Sequence, residues 1–333
     1  MTSAATGPLV TVIIPYFQRK PGILGPCVAS ILSQSGGRRV HVVVADDTSP
    51  VPAEAELERF AADRARITLV KRPNGGPGAA RNTALDNVPA DADYVALMDS
   101  DDAWEDGFLD AAVDALERGY DLFFADSKRY SNATSRFHYD RNPANNLRAE
   151  DHLVIDEARA LFEFRGDFFD FLVRRSNILG PSTTVYRRAV APDLRFREQF
   201  FNGQDRVFKL ELGRHLGRVA FTPRVLGIEG EGINIFDSAN WGTPKSISLL
   251  SSYIEMTKFI LREIPLSEAQ RDYVRRQLQR NRHSFAANLL HLMVKRDKIN
   301  MEVVTRTFRR DPMTMLLLAP NLAKATLNKL TAR

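Results

Sequence analysis

Over the first 125 residues, short apolar runs alternate with segments whose apolar positions recur at helical spacing. Leu9 to Ile14 is a near-continuous β-branched run, the pattern of a strand buried on both faces, and Pro15 closes it. Residues 22–34 carry Ile23, Leu24, Cys27, Val28, Ile31 and Leu32 at helical intervals, and Gly36 and Gly37 end that helix. Val40 to Ala45 reads as a second buried strand, followed by the turn composition of residues 46–50. A helix over 53–63 and a strand over 67–70 come next. A glycine-rich turn at residues 74–78 leads into a helix from Ala79 to about Asn87. Residues 94–98, 107–118 and 121–125 then read as strand, helix and strand. Such alternation predicts an α/β domain on a Rossmann-like, open, mostly parallel sheet with helices on both faces. In sheets of this kind, ligands bind beyond the carboxyl ends of the strands.

The alternation stops after Ala125. Residues 128–152 are polar and loop-like. Helices are predicted over 156–173 and 205–214, and short strands near 183–187 and 218–221. From residue 245 to 333 the pattern is helical, with breaks near Pro265, Pro312 and Pro320. This places a boundary between residues 1–244 and a helical C-terminal extension, 245–333.

Composition adds exclusions. With 44% hydrophobic and 26% charged residues in 333, the chain is an ordinary globular one. The single cysteine, Cys27, excludes a disulfide framework and a thiolate metal site, which favours a cytoplasmic setting. No basic and apolar leader is readable at the start, and the densest apolar stretch, 313–319, is too short to span a bilayer. The expectation is a protein not integral to a membrane. Charge is distributed unevenly. Residues 251–333 hold 16 Lys and Arg against 7 Asp and Glu, a net of +9, so residues 1–250 carry −4 of the overall +5. Such asymmetry suggests an anionic partner for the basic end, either a membrane surface or nucleic acid.

Two segments carry candidate chemistry. Asp99, Asp101 and Asp102 place three carboxylates within four residues, directly after a buried strand. Oxygen-rich sets of this kind suit Mn²⁺ or Mg²⁺, and Mg²⁺ is usually held by one or two carboxylates plus substrate phosphates. The plainer reading is an acidic helix start with Asp99 or Ser100 as its cap. Gly75 to Gly78, at a strand-to-helix turn, offers backbone N–H groups to a phosphate, or is simply a tight turn. Arg81 just inside that helix presents a planar fork of donors.

Together these segments resemble the family-2 inverting glycosyltransferases of the GT-A fold, of the bacterial polysaccharide-biosynthesis type. The resemblance covers roughly residues 9–236. The opening V-T-V-I-I-P block is Val10 to Pro15, with Gln18 where an Asn is usual. The D-D-G-S block is Asp46 to Ser49, the N-x-G-x-x-x-A-R-N block is Asn74 to Asn82, and the D-x-D-D block is Asp99 to Asp102. The resemblance implies that Pro15, Tyr16, Asp47, Asn74 and Arg81 contact the nucleotide. It implies Asp99 at the ribose and the metal, Asp101 as the direct metal ligand, and Asp102 at the donor sugar. Asp205, in Asn202-Gly-Gln-Asp205, is similar to the catalytic base, although Gln204 replaces the usual Glu. By itself Asp205 reads as a helix cap. A histidine often found late in the core is missing, which leaves Glu229 or Glu231 as substitutes, or leaves the metal to the aspartates and the phosphates of the donor. His41 and His215 read as structural.

The resemblance implies transfer of a sugar from a nucleotide-diphosphate sugar, with UDP the expected carrier, to a hydroxyl of a saccharide or lipid-linked saccharide, forming a β-glycosidic bond. It divides residues 1–244 into a nucleotide-binding half, 1–125, and an acceptor half, 126–244, that supplies the base. The alternatives are a non-catalytic nucleotide-sugar binding module and a sugar nucleotidyltransferase, which would want a glycine/lysine phosphate loop that residues 15–25 lack. Nucleic-acid recognition has no supporting motif. In the extension, Arg275, Arg276, Arg280 and Arg282 interleave with Tyr273, Leu278, Phe285, Leu289 and Leu292. That pattern suits either helices packed with a solvated basic face or peripheral attachment to the inner face of an anionic membrane, Met313 to Leu330 included.

Overall fold

The computed structural model describes residues 7–36, 38–129, 134–139, 142, 145–230 and 240–331. The chain divides into two compact units, the first of Met1–Glu198 and Phe208–Ile233, the second of Gln199–Val207 and Asn234–Arg333.

In the first unit, strands and helices alternate as β1 (Leu9–Tyr16), α1 (Leu24–Ser33), β2 (Arg39–Asp46), α2 (Ala53–Leu57), β3 (Ile67–Lys71), α3 (Pro77–Asp86), β4 (Tyr94–Leu97), β5 (Ala103–Trp104), α4 (Phe108–Glu117) and β6 (Leu122–Arg129). The later elements are β7 (Leu153–Asp156), β8 (Leu161–Glu163), α5 (Phe168–Arg175), β9 (Thr184–Arg187) and β10 (Val219–Glu229), while α6 (Gln204–Gly213) belongs to the second unit up to Val207 and to the first from Phe208. The strands form one mixed open sheet in the order β3-β2-β1-β4-β9-β6-β10-β8-β7, with β5 paired to β10. The expected α/β architecture is present. β3, β2, β1 and β4 run parallel, and β9 enters antiparallel between β4 and β6. Two reversals restore direction, so β6 runs with β4, and β10 is parallel to β6. The carboxyl ends of β1, β2, β4, β6 and β10 therefore share one edge of the sheet.

The β-branched runs explain the middle of the sheet. Val10, Val12 and Ile14 of β1 join Leu24, Val28 and Ile31 of α1 and Phe108, Ala112 and Leu116 of α4 in one core. Ile13 and Val43, which point the other way, are equally buried, and α3 packs on β1 and β2. Strand β1 runs on through Pro15 to Tyr16 instead of stopping. The Tyr16 carbonyl accepts from the Asp47 amide, so Pro15 turns its nitrogen away from β2, to the side where pairing with β4 has ended at Ile13.

One predicted element is absent. Residues 156–173 form no single helix; they contain the turn and second strand of the β7–β8 hairpin and most of the short helix α5. Asp156 accepts a hydrogen bond from the Arg159 amide at 3.2 Å, a side-chain turn that competes with helix. Gly166, with φ +107°, then separates the hairpin from α5, which Asp167 caps by accepting from the Asp170 amide.

The second unit contains α7 (Pro244–Glu263), α8 (Glu268–Lys295), α9 (Met301–Arg310), α10 (Pro312–Leu316) and α11 (Leu318–Thr331). Its core unites Ile247 and Ile254 with Leu278, Phe285, Leu289 and Leu292, and with Val303 and Val304. Pro265 lies in the α7–α8 connection and Pro312 opens α10, as expected; Pro320 sits inside α11's first turn, where a proline costs no helical hydrogen bond. Buried Arg282 grips Asp311 through two bonds of 2.8 and 2.7 Å. Among the described residues, no helix is long and apolar enough to cross a membrane.

Candidate active site

The acidic segment turns sharply after β4. The Asp102 amide donates to the Asp99 carbonyl, and β5 begins immediately beyond it. Asp99 and Asp101 are half-buried, whereas Asp102 is only 8% exposed. The Asp102 carboxylate accepts from the Ser182 hydroxyl and, at 3.0 Å, from the Gly230 amide. Burial first, then the charges of Asp99 and Asp101, push its pKa well above the ordinary carboxylate value. Asp102 thus stitches the loop to the end of β10 and to the turn before β9. No helix cap is formed: α4 starts later, at Phe108, after Gly107 with φ +88°.

Arg81 reaches this loop from α3. Its guanidinium is buried and paired with the Asp99 carboxylate, and it lies 5.4 Å over the Phe196 ring. Nε and Nη1 are buried without a hydrogen-bond partner among the described residues. Buried donors rarely stay unsatisfied, so this half of the fork suits an oxygen-rich ligand. Its neighbour Asn82 is a structural clamp, accepting from the Phe196 amide at 2.7 Å and donating to its carbonyl at 2.9 Å.

The other predicted nucleotide contacts divide. Asp47 is 2% exposed, and its carboxylate accepts from the amides of Gly75 and Gly76, at 2.9 and 2.8 Å, and from Arg72. The glycine turn is therefore no free phosphate cradle, because a carboxylate of the chain itself takes its amides. Gly76 has φ +87°, which explains glycine there. Exposed Asn74 donates to the Asp47 carbonyl at 2.9 Å. Pro15 is half-buried at the end of β1, while the Tyr16 ring is fully buried in the core, its pKa pushed up to about 12 chiefly by burial. Thr48, where the family has glycine, adopts φ +57° and is tethered through its hydroxyl to the Arg72 carbonyl at 2.7 Å.

Asp205 occupies the first turn of α6 and is half-buried. Within the second unit its charge, after burial, raises the pKa of Tyr253. Glu229 is not free to replace a metal-binding histidine: Arg136 holds it bidentately, Ser127 donates to it at 2.9 Å, and these contacts lower its pKa against the opposing effect of burial. Glu231 lies outside the described residues. His41 meets Thr68 at 2.9 Å between β2 and β3.

Three further residues shape the site, and of these only Gln18 was marked in the sequence, as a departure from Asn. Ser182 accepts from the Asp99 amide at 3.0 Å while donating to Asp102. Gln18 donates to the Ser100 hydroxyl at 3.1 Å, which ties the turn after β1 to the acidic loop. At Gly230 a Cβ would lie 1.8 Å from the Asp101 carbonyl oxygen, so only glycine permits this approach.

Residues 11–194 match the family model described as glycosyl transferase family 2. The chain belongs to glycosyl transferase family 2. It is 36% identical over 239 residues to the succinoglycan biosynthesis protein ExoW of Rhizobium meliloti, covering 71% of this chain and 73% of that one. S. aureus TarS 1-349 in complex with UDP superposes with a TM-score of 0.61 at 16% identity, over 97% of this chain and 92% of that one. The mannosyltransferase PcManGT of Pyrobaculum calidifontis, in complex with GDP-Man and Mn²⁺, gives 0.55 at 16% identity, over 98% and 88%. These structures share the fold of this family-2 glycosyltransferase.

Among the described residues, no group of three or more His, Cys, Asp or Glu side chains is placed to hold a metal ion. A pair of carboxylates suffices for a hard cation that also takes phosphate oxygens. Half-exposed Asp99 and Asp101, beside an Asp102 whose ionisation they oppose, fit that donor set.

Proposed function

We propose that this family-2 glycosyltransferase transfers a sugar from a UDP-sugar to a hydroxyl of a saccharide or lipid-linked saccharide, with inversion and with Mn²⁺ or Mg²⁺. The observation carrying this reading is the Arg81–Asp99 pair, with two buried guanidinium nitrogens unpartnered at the carboxyl edge of the sheet. Such a fork recognises phosphate or ribose oxygens. The nucleotides bound by TarS and PcManGT, and the Mn²⁺ of the latter, favour it. The biosynthetic name of the Rhizobium relative favours a polysaccharide product.

A divalent cation held by Asp101 and Asp99 would neutralise charge on the departing diphosphate. Arg81 binds and orients the nucleotide. Asp102, tied to Ser182 and Gly230, shapes the floor beneath the donor sugar. Asp205 accepts the proton of the acceptor hydroxyl as its oxygen attacks the anomeric carbon, and the nucleoside diphosphate leaves from the opposite face. One displacement converts an α-linked donor into a β-linked product. The exposed Met313, Met315, Leu316 and Leu327, in a basic extension, favour peripheral attachment at the inner face of a membrane.

The test is a panel of labelled nucleotide-sugars, assayed for transfer and for slow hydrolysis with Mn²⁺. Turnover should require the cation and fall at least about 100-fold in Asp205→Asn, with donor binding retained. Near-normal turnover in that variant sinks the base assignment, and failure of every nucleotide-sugar to bind sinks the whole reading.

A further inference from the structure

A cavity of about 230 Å³ opens at the carboxyl ends of β6 and β10, lined by Lys128, Arg129, Arg136, Tyr139, Asn177 and Glu229 among others. It lies wholly in the first unit and on the sheet edge that also bears Asp99 to Asp102. Its lining charges are three cations against one carboxylate. Glu229 is committed: it accepts from Arg136 Nη2 at 2.9 Å and sits 3.8 Å from Arg129. Arg136 is fixed in turn, its Nη1 donating to the Asn177 carbonyl at 2.8 Å. Glu229 thus anchors Arg136 and draws in Arg129, leaving exposed Lys128 and half-exposed Arg129 as surplus positive charge at the mouth. The volume is below the ~300–1,000 Å³ of drug-sized sites and matches a single sugar unit. The wall is continuous with the acidic loop, because Gly230, next to Glu229, abuts the Asp101 carbonyl.

The geometry points to an acceptor subsite that takes the oxyanion of an acidic saccharide, a carboxylate or a phosphate carried on the sugar. The cations of this cavity lie beyond β6 and β10, whereas the carboxylate pair suited to a donor-bound cation follows β4. A negative group here therefore belongs to the second substrate. This inference rests on the transferase reading above.

Binding of D-glucuronate, glucose 1-phosphate and neutral glucose is measured by ligand-observed NMR on the full chain and on the double variant Lys128→Ser/Arg129→Ser. Binding of UDP with Mn²⁺ is measured on the same samples by calorimetry. One or both anionic sugars should bind the parent chain more tightly than glucose, and the one that binds shows which oxyanion the cavity takes. That binding should weaken with added salt and by about ten-fold in the double variant, with UDP binding unchanged. Equal binding of glucose and both anionic sugars, or anionic binding indifferent to the double substitution, overturns the proposal. Loss of UDP affinity in the variant does so too, since the cations would then serve the donor. A parent chain that binds anionic sugars but no nucleotide would instead refute the transferase reading and leave the cavity's anion preference standing.

Discussion

Gly230→Ala isolates the contact between the end of β10 and the acidic loop. Gly230 is not among the glycines held at positive φ, so alanine meets no backbone penalty there and the effect is purely steric. The added methyl would stand 1.8 Å from the Asp101 carbonyl oxygen and 2.8 Å from its carbonyl carbon, where ordinary contact begins near 3.4 Å. Relief requires the two backbones to separate by about 1.5 Å, because neither neighbour is a flexible side chain. The Gly230 amide bond to Asp102, now 3.0 Å, would break with that shift. Overpacking of this kind costs ~1–3 kcal/mol, or roughly 2–4 °C of melting temperature per kcal/mol for a unit of this size. Displacing Asp101 by about 1 Å should cost on the order of 100-fold in kcat/KM. Thermal unfolding, Mn²⁺ titration of UDP binding and steady-state transfer measure the three effects. A variant that keeps the parent melting temperature and the parent Mn²⁺ dependence would show that the β10 end does not position the loop.

Ser182→Ala removes the hydroxyl that serves both Asp99 and Asp102, and should cost ~1–3 kcal/mol in urea unfolding; an unchanged midpoint would contradict the bridging role. Arg81→Met leaves Asp99 hydrated, at 34% side-chain exposure, so folding should survive while nucleotide affinity falls about 10- to 100-fold by calorimetry; an unaltered Kd would refute Arg81 as a nucleotide contact. Asp311→Asn strands the buried Arg282 and should destabilise the helical unit by about 3–5 kcal/mol at neutral pH, read by denaturant unfolding; a loss under 1 kcal/mol would show the pair to be dispensable. In the parent chain the Arg282 and Lys258 contacts, with the Thr314 hydrogen bond, hold the Asp311 pKa at about 2 against an ordinary 3.8, despite the upward push of burial. A depressed carboxylate pKa stabilises above the unfolded value, so about 2 kcal/mol should be lost as pH falls from above 4 towards 2. Asp311→Asn should lack that acid-sensitive component.

Legibility of the fold followed burial. The two-face-buried runs of β1 and β2, and the helical spacing of α1 and α4, were readable because each local pattern answers to one environment. The β7–β8 hairpin was not, since Asp156 turns the chain through a side-chain bond that a helix-like spacing conceals. Of the candidate site, Asp99, Asp101, Asp102 and Arg81 stood out by type and by position after a strand or turn, and the structure gathers them on one edge. Asp47 was noticed as well, but not its use as an internal counterpart to the glycine turn.

By itself the sequence determined which residues could do chemistry and at which strand ends they stand, because strand periodicity and residue type are local properties. Only the tertiary structure decided what each carboxylate faces. Asp102 is claimed by Ser182 and Gly230, 80 and 128 residues away, and Glu229 by Arg136, 93 residues away. The insertion of β9 against the run of its neighbours brings the Ser182 turn to the acidic loop. Hydrogen bonds and steric contacts reach only a few ångströms, so partners so distant in sequence are set by strand order and register. Neither leaves a trace in the residues on either side of them.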